Sequence, residues 1–271
     1  MKKIVFILTV FTFLGSNVVF SQTKTLAVNP IRGTLSVGWS FIQITAGSID
    51  KEFPAINDSG EIVWVRNNQI ISNISGQITT NSNQKTNPSI NNRGEVVYQE
   101  LINGYWQIIS NIRGQMTYTG INHTDPFISN CNEIVWIEDL GGAVSTQIIS
   151  NKQGQLTFSG THITPSINCS GEYVWGVSDV MGNRILKSSI RGIISNDGLS
   201  PVINDRREIV WFQADPNIQT DYQLFSSDRG QLTHYDAQGF KNQLFYPYVN
   251  NNGNIVYQHG VNNVFQIFYS N

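Results

Sequence analysis

The sequence predicts an all-β protein: a six-bladed β-propeller of four-stranded antiparallel blades, its last blade closed by an N-terminal strand. Three observations carry this expectation. One run of residues recurs six times, anchored on Pro54, Pro88, Pro126, Pro165, Pro201 and Pro247 at intervals of 34 to 46 residues. Each copy divides into short β-rich runs bounded by Asn/Gly turns, and no dozen residues show helical spacing. The last copy lacks its final run, while an orphan run of that type precedes the first. Periods of this size mark units that cannot bury their apolar faces alone and must stack on neighbours.

The first 21 residues carry a charged start (Lys2, Lys3) and an apolar run, Ile4 to Leu14, before a small-residue cleavage site ahead of Gln22. The run is shorter than the roughly 20 residues a membrane helix needs, so residues 1–21 read as a cleaved secretory signal. Residues 22–40 form a lead-in segment, and 41–271 the propeller. The expected product is exported, secreted or periplasmic, without a membrane span and monomeric. Charged residues are only 13 % and the formal net charge is −2, which gives no basic face for nucleic acid. The 40 % hydrophobic content suffices for a core.

The blade pattern is clearest in the second unit. Pro88-Ser89-Ile90-Asn91 is a short extended start, since proline suits the beginning of a strand. Asn91 to Gly94 is a turn in which Asn bonds its own backbone and Gly accepts positive φ. Glu95 to Tyr98 is β-branched and aromatic, a strand. After a loop from Gln99 to Tyr105, Trp106 to Ser110 is a third strand, and Gln115 to Tyr118, past a second tight turn, a fourth. The aromatic closing the second strand recurs as Trp64, Tyr98, Trp136, Trp175, Trp211 and Tyr257, a stripe expected between blades. Upstream of the first unit, Gln43-Ile44-Thr45 matches Gln77-Ile78-Thr79 and Gln155-Leu156-Thr157. It therefore supplies the strand missing from the sixth unit, and closure removes the open sheet edges.

The pattern Pro-x-Ile-Asn-x-x-Gly-Glu-Ile-Val-Trp, followed by Gln-Ile-Ile-Ser-Asn-x-x-Gly-Gln-Leu-Thr, resembles the TolB-type propeller repeat over residues 41–271. It departs from that family at Asn57-Asp58-Ser59-Gly60 and its equivalents, which replace Ser-Pro-Asp-Gly, and at Asn132 and Arg207, where Gly is lost. The resemblance implies a fold and leaves the activity open, since propellers bind, scaffold and catalyse.

Function is expected where the repeats disagree, on the face carrying the irregular loops. Three residues before each anchor proline stand Lys51, Lys85, His123, His162, Gly198 and Leu244. The first four form an expected ligand-binding arc at the channel mouth, with Glu138, Asp139, Asp179 and Asp215 as carboxylates of the same face. The loops Ile137–Thr146 and Phe212–Asp221, the insertion Tyr235–Leu244, and the aromatics Tyr105, Trp106, Phe240, Phe245, Tyr246 and Tyr248 extend that surface. Two histidines fall short of the ligands a metal site requires, so no metal and no cofactor is expected. The recurring Glu61, Glu95, Glu133, Glu172 and Glu208 read as copied strand starts on the opposite face.

Cys131 and Cys169 occupy nearly the same turn in adjacent repeats. Export permits a disulfide, but bridging requires Cα atoms within about 7 Å, so a bond and two unpaired turn residues both stay open. No nucleophile elbow, zinc-protease, Walker or dinucleotide motif occurs, and no catalytic residue is assigned. The reading is a non-catalytic binding or protein-interaction module for a protein or carbohydrate partner of the cell envelope or exterior. The alternative is a propeller hydrolase or lyase acting on an extracellular polysaccharide or peptide.

Overall fold

A computed structural model describes residues 41–141, 146–158, 160–178, 184–215, 218–233 and 244–270. The stretches read from the sequence as a signal (residues 1–21) and a lead-in (residues 22–40) lie outside the described residues. Six four-stranded antiparallel sheets form the blades. In blade 1, from the channel outward, the strands are Glu52–Ile56, Ile62–Arg66, Gln69–Ser72 and Gly76–Gln77. In blade 6 they are Leu244–Val249, Ile255–Val261, Val264–Ser270 and, from the N-terminal end, Phe41–Gln43. Phe41 pairs with Ser270 and Gln43 with Phe268.

The repeated residues explain themselves as hydrogen-bond clips. In blade 1, the last Ser of Gln-Ile-Ile-Ser (Ser72) accepts the N–H groups of Ile74 and Ser75 at 3.1 and 2.9 Å. It donates to Glu61 at 2.5 Å. The same Ser-to-Glu bond joins Ser110 to Glu95, Ser150 to Glu133, Ser188 to Glu172 and Ser226 to Glu208. Thr79, which ends the matching run Gly76-Gln77-Ile78-Thr79 in blade 1, accepts the N–H of Ile70 at 2.9 Å and donates to Gln69. Thr45 does the same for Ile267 and Gln266 in blade 6, so the orphan run is a fourth strand by bonding as well as by position. Each clip contributes on the order of 1 kcal/mol.

The core lies between blades. Tyr98, Trp136, Trp211 and Tyr257 are buried, with Trp64 and Trp175 partly so, as the stripe predicts. Two strand boundaries differ from expectation. Blade 2's second strand runs Val96–Ile102, because Asn103 and Gly104 (φ 50° and 85°) form a two-residue hairpin turn. In blade 5 the second strand reaches Asp215 and the third starts at Ile218, so most of Phe212–Asp221 is strand.

One end of the channel is sealed by side-chain amides. Asn57, Asn168, Asn204 and Asn250 each donate to a main-chain carbonyl in the next blade, at 3.3, 3.3, 3.0 and 2.9 Å. Closer to the axis, Asn92 and Asn251 bond Asp58, and Asn130 and Asn251 bond Asp205. Blade 3 has Ser129 where the others have the donating Asn, and blade 4 has Cys169 where its neighbours have an inner Asx. The seam between those two blades is closed by the Cys131–Cys169 disulfide, with Cα atoms 5.3 Å apart. The bonded alternative therefore holds.

Candidate functional site

The expected ligand arc at the mouth is, in the structure, a set of buried braces. Lys51, Lys85, His123 and His162 are 5, 1, 3 and 6 % exposed. Lys85, His123 and His162 begin their blades' innermost strands and Lys51 immediately precedes its own, and each turns back onto the linker entering that blade. Lys51 Nζ donates to the carbonyls of Ala46 and Ile49 at 2.8 and 2.6 Å. Lys85 Nζ donates to those of Asn81 and Asn83 and to Asn81 Oδ1. His123 Nε2 lies 2.6 Å from Thr119 Oγ1, and His162 Nε2 lies 3.6 Å from where a Cβ on Gly160 would stand. These linkers carry carbonyls that no sheet ladder satisfies, and the bonds to Lys51 and Lys85 satisfy several of them. Burial lowers the pKa of Lys51, Lys85 and His123 from their ordinary values.

Of the expected carboxylates, Glu138 meets His123, with Oε2 3.7 Å from Nδ1. Asp139 accepts the Gly141 N–H at 3.0 Å and stabilises its own loop. Asp179 lies outside the described residues. Asp215 pairs with Ile218 at the end of a strand, its side chain beyond description. Phe240 is outside the described residues, Phe245 lies on a strand, and Tyr105 is exposed. Tyr246 and Tyr248 face the channel and belong to the site.

That site is a cup at the channel end opposite the amide seal, open to solvent. Its rim comes from the residue immediately before each anchor proline: Phe53, Asn87, Asp125, Thr164, Ser200 and Tyr246. All six are left-handed, with φ of 54°, 51°, 51°, 46°, 49° and 55°. Each sits where the innermost strand slips register against the second. A residue preceding proline is ordinarily extended, and a non-glycine residue in this region costs about 1–3 kcal/mol. The bulge belongs to the repeat; the side chain it aims at the cup differs in every blade.

Those side chains divide the cup. Phe53 and Tyr246, from blades 1 and 6, pack with ring centroids 4.4 Å apart as an aromatic wall. Asn87, Asp125, Thr164 and Ser200, from blades 2 to 5, make a polar wall. The base is a plug: Phe127 stacks on Tyr248 at 5.3 Å, and the Tyr248 hydroxyl lies 3.0 Å from Ser89 Oγ. Asp125 is the one carboxyl among the described residues lining the cup. Burial raises its pKa, against the lowering by the Thr164 N–H and the Asn87 carboxamide, whose Nδ2 is 2.5 Å from Oδ1. The Thr164 hydroxyl is buried without a hydrogen-bond partner. Among the described residues no group of three or more His, Cys, Asp or Glu side chains is placed to hold a metal ion.

The cup-facing residues stand two positions downstream of the Lys51, Lys85, His123 and His162 series. The signal was present: beside an invariant proline, one position reads Phe, Asn, Asp, Thr, Ser, Tyr. Local rules, however, assign it an extended backbone, and only the assembled ring turns it inward.

Fold and cup together define a closed six-bladed propeller with an acid-bearing pocket at one end of a plugged channel. Solved structures of similar fold include a gluconolactonase from Xanthomonas campestris, at 9 % identity and TM-score 0.58. That match covers 86 % of this chain and 89 % of that one. A streptogramin B lyase matches at 12 % identity and TM-score 0.51, over 88 % and 99 % of the two chains. The calcium-binding protein regucalcin from Agrobacterium tumefaciens matches at 10 % and TM-score 0.50, over 83 % and 90 %. No protein-family model matches the sequence, and no curated protein matches it. At these identities the likeness concerns the fold, and the six-bladed architecture is what it supports.

Proposed function

We propose that the protein is an exported propeller enzyme, a hydrolase opening small lactone-type esters in the cup, with Asp125 as its acid–base group. This is the hydrolase side of the two readings the sequence allows, with a small cyclic ester in place of a polymer. The observation that carries it is Asp125, the single carboxyl among the described residues lining the cup, held among hydrogen-bond donors and biased toward its protonated form. A carboxyl whose pKa is raised by burial is a stronger base when ionised than an ordinary one, which suits it to proton transfer. Glycoside cleavage ordinarily uses two carboxyl groups flanking the bond, and the described residues that line the cup offer one. An ester already carries an activated carbonyl, so one acid–base group suffices. Proteins of similar fold named as a gluconolactonase and a lyase favour an enzyme over a non-catalytic module. The Lys51–His162 arc that motivated the binding module is occupied by its own linkers.

In the proposed step, water adds to the ester carbonyl carbon as its proton passes to the Asp125 carboxylate. The ring C–O bond then breaks, and Asp125 returns that proton to the departing alkoxide, leaving a hydroxy acid. Thr164 offers an uncommitted hydroxyl on the residue whose amide already bonds Asp125. Phe53 and Tyr246 offer an apolar face for a ring substrate. Export is supported by the N-terminal pattern and by a disulfide with exposed cysteines, which persists in oxidising compartments. The TolB-type resemblance rests on the repeat residues alone.

The test is pH-stat hydrolysis of glucono-1,5-lactone and a panel of aldono- and aryl-lactones, wild type against Asp125→Asn. Turnover lowered about 100-fold or more by the substitution is expected. A wild type no faster than buffer on every lactone, with no cup resonance shifted by any of them, sinks the reading.

A further inference from the structure

Two glutamines share one repeat position, the residue after the aromatic that closes the second strand. They are Gln99 in blade 2 and Gln258 in blade 6; the other blades have Val65, Ile137, Gly176 and Phe212 there. Both glutamines are buried, and both reach across a blade seam to the cup rim. Gln258 Oε1 accepts the N–H of Phe53 at 2.7 Å. Gln99 Oε1 accepts the N–H of Asp125 at 2.7 Å and lies 3.4 Å from Asn87 Nδ2. A main-chain N–H only donates, so the glutamine atom facing it is the oxygen. With one Asn87 Nδ2 hydrogen toward Gln99, the other is directed to Asp125 Oδ1. Gln99 thus touches both the main chain that carries the acid and the carboxamide that holds its carboxylate.

We infer that Gln99 is the positioning residue for Asp125 and Gln258 the positioning residue for the aromatic wall, so that chemistry and ring binding are supported separately. This rests on the reading of the cup as a lactone-opening site. Each glutamine fixes a strained main-chain corner whose donor no ladder partner takes up, and a buried N–H without an acceptor would relax the corner. Relaxation at Asp125 moves the acid, and displacement by about 1 Å can lower a rate on the order of 100-fold. Relaxation at Phe53 moves a contact surface and leaves the acid in place. Among the described cup-lining residues, Asp125, Tyr246 and Tyr248 are the titratable ones, and Glu52 acts on Tyr246 from the rim.

The experiment compares Gln99→Met with Gln258→Met, which keep side-chain length and remove the acceptor. On the lactone the wild type turns over fastest, Q99M is expected to lower kcat about 10- to 100-fold with KM within about threefold. Q258M is expected to raise KM about tenfold with kcat within about threefold. Gln99→Glu retains an acceptor oxygen and should recover most of the Q99M loss; it also serves if Q99M fails to fold. In parallel, the Asp125 carboxyl is titrated by carbon NMR. Q99M should move its midpoint upward by about one unit through loss of the ordered Asn87 donor, and Q258M should leave it in place. Equal kinetic effects of the two variants, or an unmoved midpoint in Q99M, overturn the inference. Because the titration needs no substrate, it decides the Gln99–Asp125 link even if no lactone is turned over, an outcome that instead counts against the proposed function.

Discussion

The two ends of the channel are built from the same six strands and treat their polar groups in opposite ways. At the sealed end, Asn57, Asn168, Asn204 and Asn250 donate to main-chain carbonyls of the next blade, and Asp58 and Asp205 are embraced by asparagine amides. At the open end, six strained residues carry six different side chains, one carboxyl is held against its preference to ionise, and one hydroxyl goes unpartnered. Repetition at one end makes a rigid ring. The other end uses that rigidity to hold what would otherwise relax, which is how a scaffold supports a site on its rim.

The largest test of this contrast is Asp125→Asn, with turnover lowered by about 100-fold or more and stability raised. The folded-state pKa of Asp125 lies above its ordinary 3.8. Ionisation therefore costs the fold free energy above the folded pKa, and the cost disappears as pH falls below 3.8. Asparagine removes the cost, so D125N should melt higher at pH 7 by about 0.5–2 kcal/mol, with no gain at pH 3.5. Thermal melts at the two pH values check this. A variant less stable at pH 7 would show the mouth to be ordinary structure.

Next in size is the seam where the amide ring is interrupted. Replacing Cys131 and Cys169 by Ser frees a 38-residue closed segment, a loss of about 3–4 kcal/mol in the chain-entropy account. Urea unfolding measures it. Lactone turnover of the surviving folded fraction should stay unchanged, because the bond lies at the far end of the channel. Linked losses of stability and turnover would join the two ends into one unit.

Much of the sealed end was legible in the sequence and little of the open end was. Gln43-Ile44-Thr45 could be placed in blade 6 because Thr45 makes the bonds its homologous threonines make, and sheet bonding repeats with sequence. The Asn turns were readable because an Asx side chain bonds its own backbone: Asn57 Oδ1 accepts the N–H of Glu61 at 2.9 Å. Asn132 and Arg207, where Gly is lost, take φ of 61° and 69°, so the turn persists through the change. The burial of Lys51 and Lys85 was not legible because a charged residue beside a variable loop looks solvent-exposed, whereas a buried ammonium can bond several loop carbonyls. Asp125 went unnoticed because its backbone is set by Gln99, 26 residues away, against the local rule for a residue preceding proline. Whether Cys131 could reach Cys169 was a question of distance that spacing does not answer.

A smaller pair of substitutions compares the ends directly. Asn204 Nδ2 donates to Asn250 O at 3.0 Å and its Oδ1 accepts the Glu208 N–H at 2.9 Å, both in buried surroundings. Asn204→Ala strands these partners and should cost about 1–3 kcal/mol. Ser200→Ala, four residues earlier at the mouth, should stay within about 0.5 kcal/mol. Denaturant midpoints measured side by side decide the matter, and equal costs would remove the distinction between scaffold and rim.

The smallest effect separates the ends by sign. Glu172, fully buried in blade 4 at the sealed end, meets Arg191 and Arg207 at 2.8 and 2.9 Å and accepts from Ser188. Burial pushes its pKa up, but those hydrogen bonds and the Arg191 charge prevail and hold it below the ordinary 4.5. A depressed carboxyl stabilises the fold above its unfolded pKa, and that contribution is lost as pH falls through the lower folded value. Acidification below 4.5 therefore weakens the sealed end while it relieves Asp125 at the mouth. Relative to wild type, Glu172→Gln should flatten the fall of stability on the acid side, and Asp125→Asn should steepen it by removing the relief. Chemical unfolding from pH 6 to pH 3 reads both slopes. Slopes changing in the same direction would mean that the two carboxyls sit in equivalent environments, and the division of the channel into a satisfied end and a strained end would have to be given up.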